Sequence, residues 1–256
     1  TASALTVSGA ITVNSGGTIL RNSNSSGSSL LTVSGGITGT GNLALNNNSS
    51  IANGITISTT SVNNTGTVTN SGTSSGITTI SAVIGTNVTG VVQNSATSQL
   101  TLSGVNTFTG GLTIKAGTVL GTTVSASAFG AGNITLGDTI GAANAALLVG
   151  TTGLTYTNPI ILATGTTGTL TIGNSGTSIS NLFSGGITGT NNLTINSNAT
   201  TGTITILTGA VDNAGTVTNV GAGTGATTIS AVIGTNVTNV IQNSATSKLA
   251  LSGANT

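Results

Sequence analysis

Residues 78–107 read TTISAVIGTNVTGVVQNSATSQLTLSGVNT. Residues 227–256 read TTISAVIGTNVTNVIQNSATSKLALSGANT, so that 25 of 30 positions are identical at an offset of 149 residues. The five differing pairs are Gly90/Asn239, Val92/Ile241, Gln99/Lys248, Thr101/Ala250 and Val105/Ala254. What is preserved is a pattern of apolar, hydroxyl, amide and glycine positions. Such a repeat is typical of proteins that stack similar structural units on one another.

The repeat extends further back in each copy, because the six residues GGITGT at 35–40 return at 185–190, an offset of 150. Residues 35–107 therefore resemble residues 185–256, with one residue lost in between, a change that a turn accommodates better than a strand. We interpret residues 1–256 as a single continuous segment made of units of about 150 residues. Since the second copy of the repeat is cut at its end, we expect a longer chain or a filament.

The chain contains very few charged residues. Charged residues make up 2% of the chain, compared with about 25% in ordinary soluble domains. They are Arg21, Lys115, Asp138, Asp212 and Lys248. A net charge of +1 offers no basic surface for nucleic acid, and no apolar stretch is long enough to cross a bilayer as a helix. We therefore expect no nucleic-acid partner and no membrane insertion of this segment.

Short runs with apolar residues at every second position recur along the chain, as in Leu5-Thr6-Val7, Ile55-Thr56-Ile57 and Leu193-Thr194-Ile195. Glycine, asparagine and serine separate these runs, which indicates short strands joined by turns. A sandwich or barrel is also built from short strands, but each strand there meets a different neighbour, whereas a solenoid places each coil on a near-copy. The sequence predicts an all-β parallel β-helix, or β-solenoid, and coils of about 21 residues would make about twelve of them.

Stacking offers a reason for the missing charges. Like charges about 4.8 Å apart on successive coils repel by roughly 0.9 kcal/mol even in water, whereas stacked amides donate to and accept from one another. Asparagines that recur in both copies are therefore candidates for ladder positions, although asparagine also suits left-handed turns, and both interpretations stay open. The candidates are Asn70, Asn87, Asn94, Asn106, Asn219, Asn236, Asn243 and Asn255.

The residue inventory argues against catalysis. The chain has no His or Cys, and its only acids are Asp138 and Asp212, predicted to lie too far apart for paired-carboxylate chemistry, which needs about 5–10 Å. Asp212 corresponds to Asn63 in the other copy and Lys248 to Gln99, which is typical of solvated surface positions. We expect no catalytic, cofactor-binding or metal site, no cofactor and no enzymatic activity.

The four aromatic residues divide into two groups. Phe108, Phe129 and Phe183 are interpreted as core residues, because the position of Phe183 is occupied by Val33 in the other copy and so accepts any apolar side chain. Tyr156 carries a polar tip and is the aromatic that we interpret as a possible surface contact.

Residues 100–120 read LTLSGVNTFTGGLTIKAGTVL, and they resemble the passenger-associated β-strand repeat of bacterial autotransporters. The family pattern is Leu-x-Leu-x-Gly-x-Asn-Thr-Tyr-x-Gly followed by an Ile-x-x-Gly-Thr run, with Phe108 here in place of Tyr. A second copy begins at Leu249. The resemblance implies a right-handed parallel β-helix that a Gram-negative bacterium exports and displays on, or releases from, its surface, in a family where adhesive or structural roles prevail over catalytic ones.

These observations favour a non-catalytic structural protein, a segment of an extracellular fibre or adhesin stalk located outside the cell or on its surface. Such a segment would associate with further copies end to end or laterally into fibres. The alternative is an adhesin module of an autotransporter passenger that binds glycans or a host cell surface. A carbohydrate-active enzyme would need clustered acids, which the sequence does not supply.

Overall fold

A computed structural model describes residues 4–24 and 29–255; the last position of the second repeat copy, residue 256, lies outside this range. The strands within it are β1 Leu5–Val7, β2 Ile11–Val13, β3 Thr18–Asn22, β4 Leu31–Val33, β5 Ile37–Gly39, β6 Leu43–Asn47, β7 Ile55–Ile57, β8 Gly66–Asn70, β9 Thr78–Ile80, β10 Val88–Asn94, β11 Leu100–Leu102, β12 Leu112–Gly121, β13 Ile134–Leu136, β14 Ala145–Val149, β15 Leu154–Tyr156, β16 Ile160–Leu162, β17 Leu170–Asn174, β18 Asn181–Phe183, β19 Ile187–Gly189, β20 Leu193–Asn196, β21 Ile204–Ile206, β22 Gly215–Asn219, β23 Thr227–Ile229, β24 Val237–Gln242 and β25 Leu249–Leu251. One 3-10 helix covers Ala126–Phe129. In this part of the chain no helix has the length and hydrophobicity that crossing a bilayer requires.

The chain is nearly all β, and its strands stack in parallel as a β-solenoid of about ten turns, which confirms the predicted fold class. Residue contacts divide it into two compact units. The first contains the described residues up to Val119 together with Ser127–Gly132, and the second contains Leu120–Ala126 and the described residues from Asn133 onward. That the whole chain forms one continuous segment stays a prediction.

Within the first unit the strands form three stacks. The first stack contains β1, β4, β7, β9 and β11, and each of these pairs in parallel with the next. The second stack starts with β2 and β5 and continues as single bridges at Val62 and Ile84. The third stack contains β3, β6, β8, β10 and the part of β12 that pairs with β10, Leu112–Ala116.

The second unit repeats this arrangement. Its first stack contains β15, β18, β21, β23 and β25, and its third stack contains β14, β17, β20, β22 and β24. The second stack contains β13, β16 and β19 and continues as bridges at Val211 and Ile233.

The turns are longer than predicted. Paired residues in successive turns lie between 21 positions apart, as for Val91 and Leu112, and 27 positions apart, as for Leu154 and Asn181. The estimate of about twelve coils is therefore wrong, and the chain makes about ten turns. Polar corners such as residues 48–54, between β6 and β7, account for the additional length. Hydrogen bonds attach these corners to neighbouring turns, as from the N–H of Asn48 to the Asn22 carbonyl over 2.8 Å and from the N–H of Gly76 to the Ser49 carbonyl over 2.9 Å.

The core consists mainly of the inward-facing apolar residues of the strands. In β4 Leu31 and Val33 are buried while Thr32 between them is partly exposed, and the same alternation recurs in β7 and β21. Burial of each Leu, Ile or Val side chain contributes about 1.5–3 kcal/mol. Phe108, Phe129 and Phe183 are all buried, which confirms their assignment to the core.

Candidate functional site: a buried amide ladder

Buried amide side chains stand at the end of the third-stack strands, where the chain turns away from the sheet. We call them the amide ladder: Asn22, Asn47, Asn70 and Gln93 in the first unit, and Asn174, Asn219 and Gln242 in the second. All of these except Gln242 are buried, with at most 7% of the side chain exposed. A buried amide is stable only when its donors and acceptors are paired, so each position requires specific partners.

In the first unit the ladder joins successive turns by direct side-chain bonds. Asn70 Nδ2 donates to Gln93 Oε1 over 2.8 Å and to the Ser98 carbonyl over 2.9 Å. Asn70 Oδ1 accepts from Thr78 Oγ1 over 3.0 Å, and Gln93 Nε2 in turn donates to the carbonyls of Ser95 and Ser98, both over 2.8 Å. The carbonyls of the corner after β10 thus find donors inside the protein.

The second unit reproduces this geometry. Asn219 Nδ2 donates to Gln242 Oε1 over 2.8 Å and to the Ser247 carbonyl over 2.9 Å, while Asn219 Oδ1 accepts from Thr227 Oγ1 over 2.9 Å. Gln242 Nε2 also donates to the Ser247 carbonyl over 2.7 Å. Among the two interpretations of Asn70 and Asn219, the hydrogen bonds match the ladder.

Asn22 and Asn47 were missed by the sequence reasoning and serve the same purpose through the backbone. Asn22 Nδ2 donates to the carbonyl of Gly54, one turn further, over 2.6 Å. Asn47 Nδ2 donates to the carbonyl of Ile77 over 2.9 Å. Each therefore ties the end of its own strand to the corner of the next turn, Asn22 to the corner before β7 and Asn47 to the corner before β9.

Asn106 and Asn255 also bridge turns, at the second stack. Asn106 Oδ1 accepts from the backbone N–H of Ile84 over 2.9 Å and its Nδ2 donates to the Ala128 carbonyl over 2.7 Å. Asn255 Oδ1 accepts from the N–H of Ile233 over 3.3 Å, the equivalent contact in the second copy. These two asparagines replace strand pairing where the second stack is reduced to single bridges.

The remaining four candidates lie on the surface: Asn87, Asn94, Asn236 and Asn243 are all exposed. None of the eight candidates has a positive φ, because the non-glycine residues with that conformation in the described part of the chain are Asn53 and Thr59. The interpretation as left-handed turns is therefore wrong for all eight. Asn94 and Asn243 directly follow Gln93 and Gln242 in sequence and expose their side chains, and their assignment to a ladder of stacked side chains stays a prediction.

Asp212 has a more specific role than the predicted solvated surface position. Its Oδ1 accepts the backbone N–H of Asn236 over 3.1 Å and its Oδ2 accepts from Asn236 Nδ2 over 2.9 Å. In the first copy Asn63 Oδ1 accepts the N–H of Asn87 over 3.1 Å. Only an oxygen acceptor is needed to bind that N–H, which explains why aspartate and asparagine exchange here.

This role gives a prediction for unfolding in urea. The substitution Asp212→Asn keeps the acceptor, so we expect the free energy of unfolding to change by less than about 0.5 kcal/mol. Asp212→Ala removes it and should cost about 1 kcal/mol. Asn63→Asp and Asn63→Ala form the matched pair in the other unit. Equal effects of the two changes at either position would contradict the acceptor role.

Tyr156 is a core residue, so its interpretation as a surface contact is wrong. Its side chain is 1% exposed and stacks on Phe183 with ring centroids 5.7 Å apart. The reason is the alternation in Leu154-Thr155-Tyr156, which turns the ring inward beside the phenylalanine of the next turn. Burial raises the pKa of Tyr156 from 10.0 to about 12, because the charged phenolate is poorly solvated there.

The raised pKa predicts how stability depends on pH. The folded state favours the neutral phenol, so this contribution is fully present below pH 10 and is lost as pH rises through about 12. The loss amounts to about 2–3 kcal/mol. With no His or Cys in the chain, we expect urea midpoints that are flat from about pH 5 to 9. Tyr156→Phe should remove the alkaline decline; an unchanged decline in this variant would assign it to other groups.

Comparison with models of protein families, with curated proteins and with solved structures finds no match to this chain. Within the described residues no group of three or more His, Cys, Asp or Glu side chains could hold a metal ion.

Proposed function

We propose that this chain is a structural segment of an extracellular bacterial fibre or adhesin stalk, and that its function is to supply length and stiffness. The single observation that carries the proposal is the amide ladder, which has the same contacts around Asn70 as around Asn219. The copies differ at positions such as Gln99/Lys248 and Val105/Ala254, but around Asn70 and Asn219 they keep the same bonds between turns. A mechanical role requires that the hydrogen bonds between turns are kept, and it does not require any reactive group.

The composition supports the same role. Stacked neutral amides avoid the repulsion of roughly 0.9 kcal/mol that like charges would add at each strand spacing. Three cationic residues leave trypsin few positions to cleave, and the absence of Cys and Met removes the main targets of oxidation. Both properties suit a protein exposed outside the cell. The resemblance of residues 100–120 to the autotransporter repeat is the reason for proposing the surface of a Gram-negative bacterium.

Surface labelling of cells that express the full-length protein tests this location. Antibodies raised against the solenoid should label intact cells as strongly as permeabilised ones, and externally added protease should release the label. A periplasmic protein measured in parallel controls for envelope integrity. Labelling that requires permeabilisation would refute the extracellular role.

A second candidate, a glycan-binding module, is favoured by an open groove of about 260 Å³ on the third stack of the second unit. Thr169, Asn192, Thr194, Thr216 and Thr218 contribute to its lining. Asn192 Oδ1 holds the backbone N–H of Thr216 over 2.8 Å, which fixes one side of the groove. A lining of uncharged hydroxyl and amide groups suits the hydroxyls of a neutral saccharide.

A glycan array distinguishes this candidate from a passive stalk. We expect binding of neutral glycans to weaken when Thr194 and Thr218 are both changed to Val, a change that preserves shape and removes two hydroxyls. Thr69→Val, at the first-unit position that corresponds to Thr218, is the matched control. An array without any bound glycan would eliminate the candidate and leave the structural role intact.

A further inference from the structure

Two parallel ranks of hydroxyl side chains cover the first stack of the first unit. The strands and the residue after each read LTVS, LTVS, ITIS, TTIS and LTLS, at residues 5–8, 31–34, 55–58, 78–81 and 100–103. We call the outward residues the hydroxyl face, which consists of Thr6, Thr32, Thr56, Thr79 and Thr101 in one rank and Ser8, Ser34, Ser58, Ser81 and Ser103 in the other. All ten are partly or fully exposed.

The five threonines are aligned with each other. Thr6 pairs with Thr32, Thr32 with Thr56, Thr56 with Thr79 and Thr79 with Thr101, and none of these four pairings contains a register shift. The third stack of the same unit does shift its register at β10. Successive threonines are therefore about 4.8 Å apart and the two ranks are separated by about 6.6 Å, which is two residues along a strand.

Several of these hydroxyls are held in place. Thr79 Oγ1 donates to Asn53 Oδ1 over 3.2 Å, and Ser81 Oγ donates to the Ile57 carbonyl over 3.3 Å. Thr101 Oγ1 accepts from Gln99 Nε2 over 3.0 Å. A hydroxyl with one bond to the protein keeps further donor or acceptor capacity for water, so the face can order water molecules at regular intervals.

The fold itself does not require this array. The corresponding residues in the first stack of the second unit are Thr155, Leu182, Thr205, Thr228 and Ala250, and in the other rank Thr157, Ser184, Leu207, Ser230 and Ser252. Leu182, Leu207 and Ala250 interrupt the pattern that Thr32, Ser58 and Thr101 complete. The first stack of the second unit forms with apolar residues at these positions. Folding therefore does not explain why the two ranks of the first unit are unbroken.

We propose that the hydroxyl face of the first unit binds the surface of ice crystals. Oxygen atoms in ice repeat at a spacing close to that of hydrogen-bonded strands, so ordered water on a regular hydroxyl array can merge with the lattice. Threonine also presents a methyl group, and removing this group from bulk water is favourable. The face carries no charged side chain, which suits a solid that excludes ions.

A saccharide is a poorer match for this face. Sugar rings on flat sites commonly stack on exposed aromatic side chains, and both aromatic residues of the first unit, Phe108 and Phe129, are fully buried. The repeat of the array is also set by strand spacing alone, whereas a saccharide site needs a few individually placed polar groups. The proposal does not depend on where the protein is located or on its role as a stalk.

The test uses the complete chain and the residues that the second unit already carries. Thermal hysteresis and adsorption of labelled protein to a growing ice hemisphere are measured for the wild type and for Thr32→Leu combined with Ser58→Leu. We expect the wild type to be active, and hysteresis to fall by roughly tenfold in the double variant because the ranks act as one multivalent surface. Leucine occupies both equivalent positions, 182 and 207, so the fold accepts the changes.

The matched control is Thr205→Leu combined with Ser230→Leu on the second unit, which should leave hysteresis unchanged. The urea midpoint of each variant verifies that it is folded. Completing the second face with Leu182→Thr, Leu207→Ser and Ala250→Thr should increase hysteresis. A wild-type protein that neither shifts the freezing point nor concentrates on ice would overturn the proposal, and equal losses in both double variants would overturn the assignment to the first unit.

Discussion

Replacing Asn70 by alanine should lower the free energy of unfolding by about 3 kcal/mol. This is a large effect for a single buried polar side chain, because several hydrogen bonds are lost at once. The change removes the donor to Gln93 Oε1 and to the Ser98 carbonyl and the acceptor for Thr78 Oγ1. These partners are buried, so each loses a hydrogen bond without gaining one from water. The change in urea midpoint is the measurement.

Two comparisons separate the effect of losing the ladder bonds from any general effect of replacing an asparagine. Asn219→Ala tests the equivalent position of the second unit and should be similarly costly, whereas Asn94→Ala and Asn243→Ala remove exposed side chains and should cost less than about 0.5 kcal/mol. If Asn70→Ala is no more costly than Asn94→Ala, the ladder does not hold the turns together.

Substituting Gly189 by alanine should cost at least about 3 kcal/mol, because two independent conflicts coincide there. Its φ is 101°, a conformation that L-residues avoid. A Cβ would also lie 2.2 Å from the carbonyl oxygen of Leu162, in the turn before. Backbone of a neighbouring turn cannot retreat without breaking the strand pairing. Gly39, with a φ of 107° and a Cβ position 2.1 Å from the Val13 oxygen, should respond equally.

Two other glycines separate the conflicts. Gly153 has a φ of 80° but no atom within 4 Å of a Cβ, so Gly153→Ala should cost only the backbone term of about 1–2 kcal/mol. Gly9 has neither conflict, and Gly9→Ala should be close to neutral. Urea unfolding of the four variants should therefore rank Gly39 and Gly189 above Gly153 and Gly153 above Gly9. If Gly189→Ala lowers the free energy of unfolding by no more than Gly153→Ala does, the turns do not approach each other closely at Gly189.

The sequence predicted the fold class because alternation and repetition act locally. Runs such as Ile55-Thr56-Ile57 place their apolar residues on one side regardless of context, and a copied block stacks most simply on its own kind. The number of turns was wrong because corner length depends on hydrogen bonds between turns, such as that from Asn22 to Gly54, which no local pattern reveals.

The candidate site was only partly predictable. Asn70 and Asn219 were found because they recur in both copies. Gln93 and Gln242 recur as well and were missed, although an amide at or next to the end of most third-stack strands was a readable signal. Tyr156 was wrongly predicted to lie on the surface because of its polar hydroxyl. The alternation of residues in its strand, which turns the ring inward, was the better signal. The hydroxyl face is visible as Thr-x-Ser in the sequence, but its alignment follows from the pairing register.

Electron cryomicroscopy of the full-length protein released from its native cells would show whether this chain is a segment of a fibre whose function is length and stiffness. We expect elongated filaments with an axial repeat of about 4.8 Å from stacked strands. Their length should extend well beyond that of the ten turns described for this segment. Compact globular particles would contradict this role.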